Sequence, residues 1–140
     1  MSGSRGYTEA DDPQRRTRTN LNSLEQARRI AALAQEKLAE DVVILDMRPV
    51  CTFTDFFVIA SGRNPRQTAA IWDEVHGRLK HEEHALPRSV DGTRDGSWIL
   101  ADYLDVVLHV FPPEARGYYT LEELWGDVPA VELDAAVAGR

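Results

Sequence analysis

Apolar residues recur every three or four positions in two stretches of the chain, and this period predicts two amphipathic helices. The first begins at Ser23, which Gln26 follows three residues later, the spacing of a capping box. Its apolar face consists of Leu24, Ala27, Ala31, Ala34 and Leu38. The second begins at Asn64 and Pro65, because proline at the first helical position gives up no hydrogen bond. Its buried face consists of Thr68, Ile71, Val75 and Leu79, with Trp72 beside them. A third, short helix is predicted at 120–125.

Runs of β-branched and aromatic residues predict the strands. Residues 42–45 form a continuous apolar run, as in a strand that is buried on both faces. Residues 53–60 form a second strand, antiparallel to the first because the connection is short. A weaker strand is predicted at 86–90, and two strong ones at 98–103 and 106–111. The resulting order is α-β-β-α-β-β-β-α, an α/β fold with a mixed sheet flanked by helices.

The 140 residues suffice for one domain, predicted over 21–126. Residues 1–20 are polar and of mixed charge and are predicted to be a disordered tail, and residues 127–140 a second loose tail. No apolar run reaches the roughly 20 residues of a membrane helix, and the N-terminus lacks the apolar core of a secretory signal. With Cys51 as the single cysteine, no disulfide within the chain is possible, and a cytoplasmic location is predicted.

The predicted domain is acidic. Residues 21–126 hold 17 acids and 11 bases and so carry a net charge of −6 out of −7 for the whole chain. Such a surface disfavours nucleic acid and favours a basic partner. An acidic surface that simply keeps the domain soluble is the competing interpretation.

Asp102 and Asp105 lie three residues apart inside an apolar run and could be a catalytic pair or the corner of a hairpin. On a straight strand, residues three apart point to opposite faces and cannot share a proton or a metal. A turn at Leu104 and Asp105 is therefore the preferred interpretation, although such hairpins favour glycine or asparagine. Trp98 and Tyr103 flank this region, and an exposed hairpin would make them candidates for a protein interface.

Other patterns carry less specific chemistry. Residues 61–66 lead into a helix N-terminus that could hold an anion, but with one glycine the segment lacks a phosphate-binding fingerprint. His81 and His84 are three apart rather than the four of a zinc protease motif. His109 is expected to be a packed, hydrogen-bonded core residue. No metal site and no cofactor are predicted.

Three ordered blocks resemble a known family. "TDFFVIASGRNPRQTAAIWDEV" (54–75), "GSWILADYLDVVLHVF" (96–111) and "YYTLEELWGDVP" (118–129) are similar to the bacterial ribosomal silencing factors, or Iojap family. The resemblance implies a fold related to the nucleotidyltransferases and a function without catalysis. It also implies binding to the fourteenth protein of the large ribosomal subunit, on the intersubunit face. The bound factor would block joining of the small subunit and so repress translation, and the free protein would form homodimers.

The resemblance also implies which residues contact the partner. Trp98 and Asp105 fall on the family pattern, and Tyr103 occupies a position that is hydrophobic or aromatic in the family. Leu104 departs from the pattern, since many members have glycine there, and "KHEEHALP" lacks the glycine often found after the second helix. The predicted partner-binding residues are therefore Trp98, Tyr103, Leu104 and Asp105.

Two alternatives remain. A nucleotide-binding remnant of a nucleotidyltransferase-like enzyme is one, but such enzymes place Gly-Ser at a helix start and Asp-x-Asp on the adjoining strand to hold two metals. Here the order is Ser61-Gly62, and the chain contains no Asp-x-Asp. A non-enzymatic protein is therefore predicted. The second alternative is a homodimeric adaptor for another basic partner. For the protein as a whole, no direct contact with DNA or a membrane is predicted.

Overall fold

The computed structural model describes residues 21–93, 98–112 and 129–133, which form two helices and a six-stranded sheet. The helices are α1 (Ser23–Glu36) and α2 (Pro65–Glu82). The strands are β1 (Glu40–Asp46), β2 (Phe56–Ser61), β3 (Ser89–Asp91), β4 (Ile99–Asp102), β5 (Val106–Phe111) and β6 (Ala130–Val131). The predicted mixed sheet with flanking helices is confirmed. The predicted third helix at 120–125 lies outside the described residues, and the relation to nucleotidyltransferases stays a prediction.

The strand order in the sheet is β3-β4-β5-β2-β1-β6. The central strands β2 and β5 run parallel, and every other neighbouring pair is antiparallel, including β1 and β2 as predicted. The register places Asp46 opposite Phe56, and Phe56 opposite Val106. The β1–β2 loop and the β4–β5 turn therefore lie at the same end of the sheet, which we call the tip end.

Both helices pack on one face of the sheet, called here the helix side. The predicted apolar face of α2 is buried there, as are the predicted positions Ala27, Ala31 and Ala34 of α1. Ile30 and Leu33 of α1, which were not predicted, are fully inaccessible as well. Leu38, predicted on the α1 face, instead follows the end of that helix and is 66% exposed. The sheet meets the helices with alternate residues of its strands, because successive side chains point to opposite faces. The residues of β2, β4 and β5 in this core are Phe56, Val58, Ala60, Ile99, Ala101, Val106, Leu108 and Val110.

The remaining strand residues form a second core on the opposite face of the sheet. Phe57, Ile59, Val107 and Phe111 belong to it and are also buried. The strands β2 and β5 are thus buried along their whole length on both faces. This burial explains why these segments are continuously apolar in the sequence instead of alternating.

The helix starts follow capping chemistry, with one shift from prediction. Asn64 caps α2 and accepts a hydrogen bond from the Gln67 backbone N–H at 2.9 Å, as predicted. The cap of α1 is Asn22 rather than Ser23, because Asn22 and Glu25 exchange side-chain and backbone hydrogen bonds of 2.8 and 2.9 Å. Gln26, the predicted partner of Ser23, is buried instead.

The prediction of a loose tail over 127–140 is wrong for the described part of that segment. Ala130 and Val131 form β6, which pairs with Leu45 and Ile44 of β1. The Arg28 guanidinium on α1 also donates to the Glu132 carbonyl at 3.2 Å. A two-residue strand is too short to leave a periodic pattern, and its partner is more than 80 residues away in the sequence. Among the described residues neither helix has the length and apolarity needed to cross a membrane.

Candidate functional site

The β4–β5 turn is a tight two-residue hairpin. The Tyr103 N–H donates to the Val106 carbonyl at 2.8 Å, and the Asp105 N–H donates to the Tyr103 carbonyl at 3.0 Å. Leu104 between them has φ 79°, the left-handed region that favours glycine. The predicted turn at Leu104 and Asp105 is confirmed, together with its unfavourable backbone conformation.

Asp102 stabilises this turn. One of its carboxylate oxygens accepts a hydrogen bond from the Leu104 N–H at 2.7 Å. The other accepts from the Arg88 guanidinium at 3.0 Å. This is the ordinary role of aspartate at a corner, where its side chain binds nearby backbone N–H groups. Asp105, one residue beyond Leu104, is exposed, whereas Asp102 is half-buried. The carboxyl groups of Asp102 and Asp105 therefore lie in different surroundings.

Tyr103 is not on the surface. Its side chain is fully buried on the helix side, and its ring lies 6.3 Å from that of Trp72 on α2. Burial raises the pKa of the Tyr103 phenol above its ordinary value. The prediction treated Tyr103 as an exposed hairpin residue, which is wrong, because the residue continues the inward-facing set of β4 beyond the end of that strand. Tyr103 packs in the core beneath the turn. In the turn itself, Leu104 is half-buried and Asp105 is exposed.

Trp98 lies at the other end of β4, away from the turn. It precedes Ile99, which pairs with Val110 near the end of β5. Five residues of extended chain at about 3.3 Å each put Trp98 roughly 17 Å from Tyr103. Its half-buried ring packs at 4.7 Å from that of Phe111 on the second face of the sheet. The structure therefore brings Leu104 and Asp105 together but separates both from Trp98.

The β1–β2 loop is the part of the tip end that sequence reasoning missed. The backbone N–H groups of Asp55 and Phe56 both donate to the Asp105 carbonyl, at 2.9 and 3.1 Å. This loop carries two exposed apolar side chains, Val50 at 55% and Phe53 at 68% exposure. The predicted strand at 53–60 included Phe53, whereas β2 begins at Phe56. The polar pair Thr54-Asp55 between them was the available signal that the strand starts later.

The charges at the tip end are partly paired. The Arg48 guanidinium donates to the Asp46 carboxylate at 2.7 and 2.8 Å, and this hydrogen bonding lowers the pKa of Asp46. The Arg48 guanidinium also lies 5.1 Å above the Phe56 ring. With the pair of Arg88 and Asp102 described above, and with Asp55 and Asp105, the part of the tip end that the structure describes holds two arginines and four aspartates. The tip end thus carries acidic groups around its exposed apolar side chains.

Segment 61–66, which the sequence offered only as a weak candidate for anion binding, forms hydrogen bonds within the chain itself. The Gly62 N–H donates to the Phe111 carbonyl at 2.7 Å, and the Arg63 N–H donates to the Gln67 side chain at 2.7 Å. The Thr68 N–H donates to the Asn64 carbonyl at 2.9 Å. These bonds occupy N–H groups that a phosphate would need at the start of α2.

The histidines divide into exposed and buried ones. His81 and His84 are exposed near the end of α2, as expected of solvated polar residues. His109 is 5% exposed on the second face, against the rings of Phe57 and Phe111, and burial lowers its pKa to about 4. Within residues 21–93, 98–112 and 129–133, neither of its ring nitrogens has a hydrogen-bond partner. The expected hydrogen bond of this packed histidine is thus not formed there. The same residues contain no group of three or more potential metal ligands.

Comparison with known proteins places this geometry in a family. The family model described as "Ribosomal silencing factor during starvation" matches residues 20–139. The ribosomal silencing factor RsfS of Halalkalibacterium halodurans is 39% identical over 103 residues, which cover 74% of this chain and 87% of the relative. A mouse relative named "Mitochondrial assembly of ribosomal large subunit protein 1" is 32% identical over 101 residues, covering 69% of this chain and 43% of that protein.

A solved structure shares this fold. A crystal structure of a Chromobacterium violaceum protein superposes with a TM-score of 0.72 at 26% identity, over 84% of this chain and 97% of that one. The match to the family model spans both helices and all six strands described above. It also includes the hairpin turn and the β1–β2 loop at the tip end. This chain belongs to the ribosomal silencing factor family.

Proposed function

We propose that the chain is a ribosomal silencing factor that binds a basic protein of the large ribosomal subunit and sterically blocks joining of the small subunit. The observation that carries the proposal is the family match over residues 20–139. The bound protein is proposed to be the fourteenth of the large-subunit series, on the intersubunit face. Repression of translation follows from occupation of this surface and needs no chemical step by the chain. The proposed site of action is the cytoplasm.

The charge of the domain supports a basic protein partner. The tip end presents Asp105 beside the half-buried Leu104, and the surrounding acids outnumber the arginines. Complementary charge steers a partner to a surface and orients it there. Leu104 and Asp105 are the proposed direct contacts, and Tyr103 is proposed to hold the turn in position. A contact by Trp98, which lies elsewhere on the surface, stays a prediction.

Sedimentation with isolated large subunits tests the proposal directly. The chain is expected to sediment with large subunits at a near-stoichiometric ratio and to slow the formation of joined ribosomes from separated subunits. Joining at an unchanged rate in a large excess of the chain would rule the proposed mechanism out. A chain that fails to sediment but captures another basic protein would be an adaptor, and magnesium-dependent nucleotide binding in calorimetry would favour the enzyme remnant.

Self-association is the remaining part of the proposal. The free chain is proposed to be a homodimer, as the resemblance to the family implies. Analytical ultracentrifugation of the free chain, at concentrations above and below that of the binding assay, measures this directly. A monomer at every concentration would contradict the homodimer and leave the proposed binding to large subunits unaffected.

A further inference from the structure

We propose that the β1–β2 loop is an apolar anchor of the docking surface and that Phe53, with Val50 beside it, inserts into an apolar pocket of the basic large-subunit protein. This inference rests on the proposed function and extends its site. The anchor adds hydrophobic contact to a surface that the hairpin turn alone would make mainly polar.

The exposure of these side chains is the first argument. Phe53 is 68% and Val50 is 55% exposed, and they are separated by two residues in one loop. Of the large apolar side chains in residues 21–93, 98–112 and 129–133, Leu38 alone has comparable exposure, and it lies at the opposite end of the sheet. Single exposed apolar residues are common, but two in one loop beside a candidate binding turn indicate a contact surface.

The loop is also held firmly, so the exposure of Phe53 is built into the fold. The Met47 N–H donates to the Asp55 carbonyl at 2.8 Å, and the N–H groups of Val50 and Cys51 donate to the Met47 carbonyl at 3.0 and 2.8 Å. Met47 is buried at 1% exposure. Because the backbone of the loop is already ordered, binding costs little further backbone entropy.

The loop is joined directly to the hairpin turn. The Asp105 carbonyl accepts hydrogen bonds from both Asp55 and Phe56, which lie two and three residues beyond Phe53. A partner that covers Asp105 therefore also covers the neighbourhood of Phe53. Aromatic side chains at the centre of an interface with charged groups around them are the common arrangement of binding hot spots.

The charges around the loop identify the class of partner. Among the described residues of the β1–β2 loop, the β4–β5 turn and their flanks, Asp46, Asp55, Asp102 and Asp105 stand against Arg48 and Arg88, a net charge of −2 for these six residues. Such a rim attracts a basic protein and repels the phosphate backbone of RNA. The occupant is therefore the basic protein of the large subunit rather than ribosomal RNA.

Leu38 provides a matched control for the test, because at 66% exposure it is as accessible as Phe53. Binding of the full chain to isolated large subunits is measured for the natural sequence, Phe53→Ala and Leu38→Ala. We expect at least tenfold weaker binding for Phe53→Ala and a change below twofold for Leu38→Ala. Thermal unfolding of Phe53→Ala should match that of the natural chain, since an exposed side chain contributes little to folding.

The outcomes separate this inference from the proposed function. If the natural chain does not bind large subunits, the proposed function fails. If it binds and Phe53→Ala binds equally well, only the anchor is wrong. Analytical ultracentrifugation of the free chain covers the other possible occupant. If Phe53→Ala dissociates a dimer and leaves subunit binding unchanged, the loop contacts a second copy of the chain, and the inference is overturned.

Discussion

Leu38, His84 and Leu104 adopt left-handed backbone conformations, with φ of 64°, 56° and 79°. Glycine occupies such positions without steric cost, whereas other L-residues are strained there. Leu38 and His84 directly follow the C-caps of α1 and α2, and Leu104 lies in the hairpin turn. The sequence pointed to Leu104 because two-residue hairpins have known preferences. It did not point to Leu38, because the residue at which a helix ends is poorly defined by periodicity.

Leu38→Gly is expected to stabilise the fold by about 1 kcal/mol, because it removes the strain at little loss of packing. The hydrogen bonds of this helix end, Leu38 N–H to Gln35 at 2.9 Å and Ala39 N–H to Ala34 at 3.1 Å, involve backbone atoms only and should persist. Urea unfolding measures the change. Leu38→Ala is the control: it keeps the strain, and an equal gain in stability there would contradict the explanation.

His109 is expected to make stability depend on pH. Its pKa of about 4 in the folded chain lies below the ordinary 6.5, so the unfolded chain binds the proton more readily between these values. Stability should therefore fall as the pH drops below 6.5, by about 2 kcal/mol between pH 7 and pH 5. Urea unfolding of His109→Leu should lack this contribution and show no loss of stability at pH 7. Replacing the exposed His81 by leucine should leave the pH dependence in place.

The elements could largely be predicted, since their signals are local. The start of α2 follows from Asn64-Pro65, and the bounds of β5 (Val106–Phe111) agree with the apolar run that predicted them. The start of β2 could not be placed, because Phe53 is as apolar as the strand residues but lies in the loop. The strand β6 could not be predicted at all, because the β1 edge on which it depends is distant in sequence.

The junction of β2 and α2 is expected to tolerate no side chain at Gly62. A Cβ there would lie 2.7 Å from the Thr68 hydroxyl oxygen and 2.9 Å from the Thr68 backbone nitrogen. Gly62→Ala should therefore destabilise the fold by about 2 kcal/mol through overpacking. Gly77 provides the opposite case inside α2, since nothing lies within 4 Å of its added Cβ.

Gly77→Ala is expected to stabilise the fold by up to about 1 kcal/mol, because alanine favours the helix. Thermal unfolding of both variants measures the contrast, and changes of the same sign would contradict it.

At the scale of the whole molecule, the sequence predicted the position of the hairpin turn better than the directions of the side chains around it. The turn at Leu104 and Asp105 followed from strand periodicity and from the resemblance. The inward direction of Tyr103 and the outward direction of Phe53 depend on where strands begin and end. Only the structure, in which α2 packs against Tyr103 and the β1–β2 loop presents Phe53, distinguishes the buried side chain from the exposed one.

Asp105→Lys is expected to weaken binding to large subunits at least tenfold, because it places a positive charge against a basic partner. The backbone carbonyl of Asp105, which accepts the loop hydrogen bonds, is unchanged by the substitution. Asp73→Lys is the matched control, since Asp73 is an exposed acid on α2. Sedimentation at several salt concentrations measures both. Equal weakening by the two variants would mean that overall charge, rather than the tip end, controls the association.

The outermost strands of the described sheet have a consequence for how this molecule associates. β3 has three residues and β6 has two, so each of these outermost strands offers a second polypeptide only a few backbone groups for pairing. Short edge strands of this kind disfavour the edge-to-edge pairing of sheets that leads to fibres. A complex, whether with another copy or with a ribosomal protein, therefore gains few backbone hydrogen bonds from β3 or β6 and depends there on contacts between side chains. Substitutions of surface side chains could then change which partner is bound without altering the sheet itself.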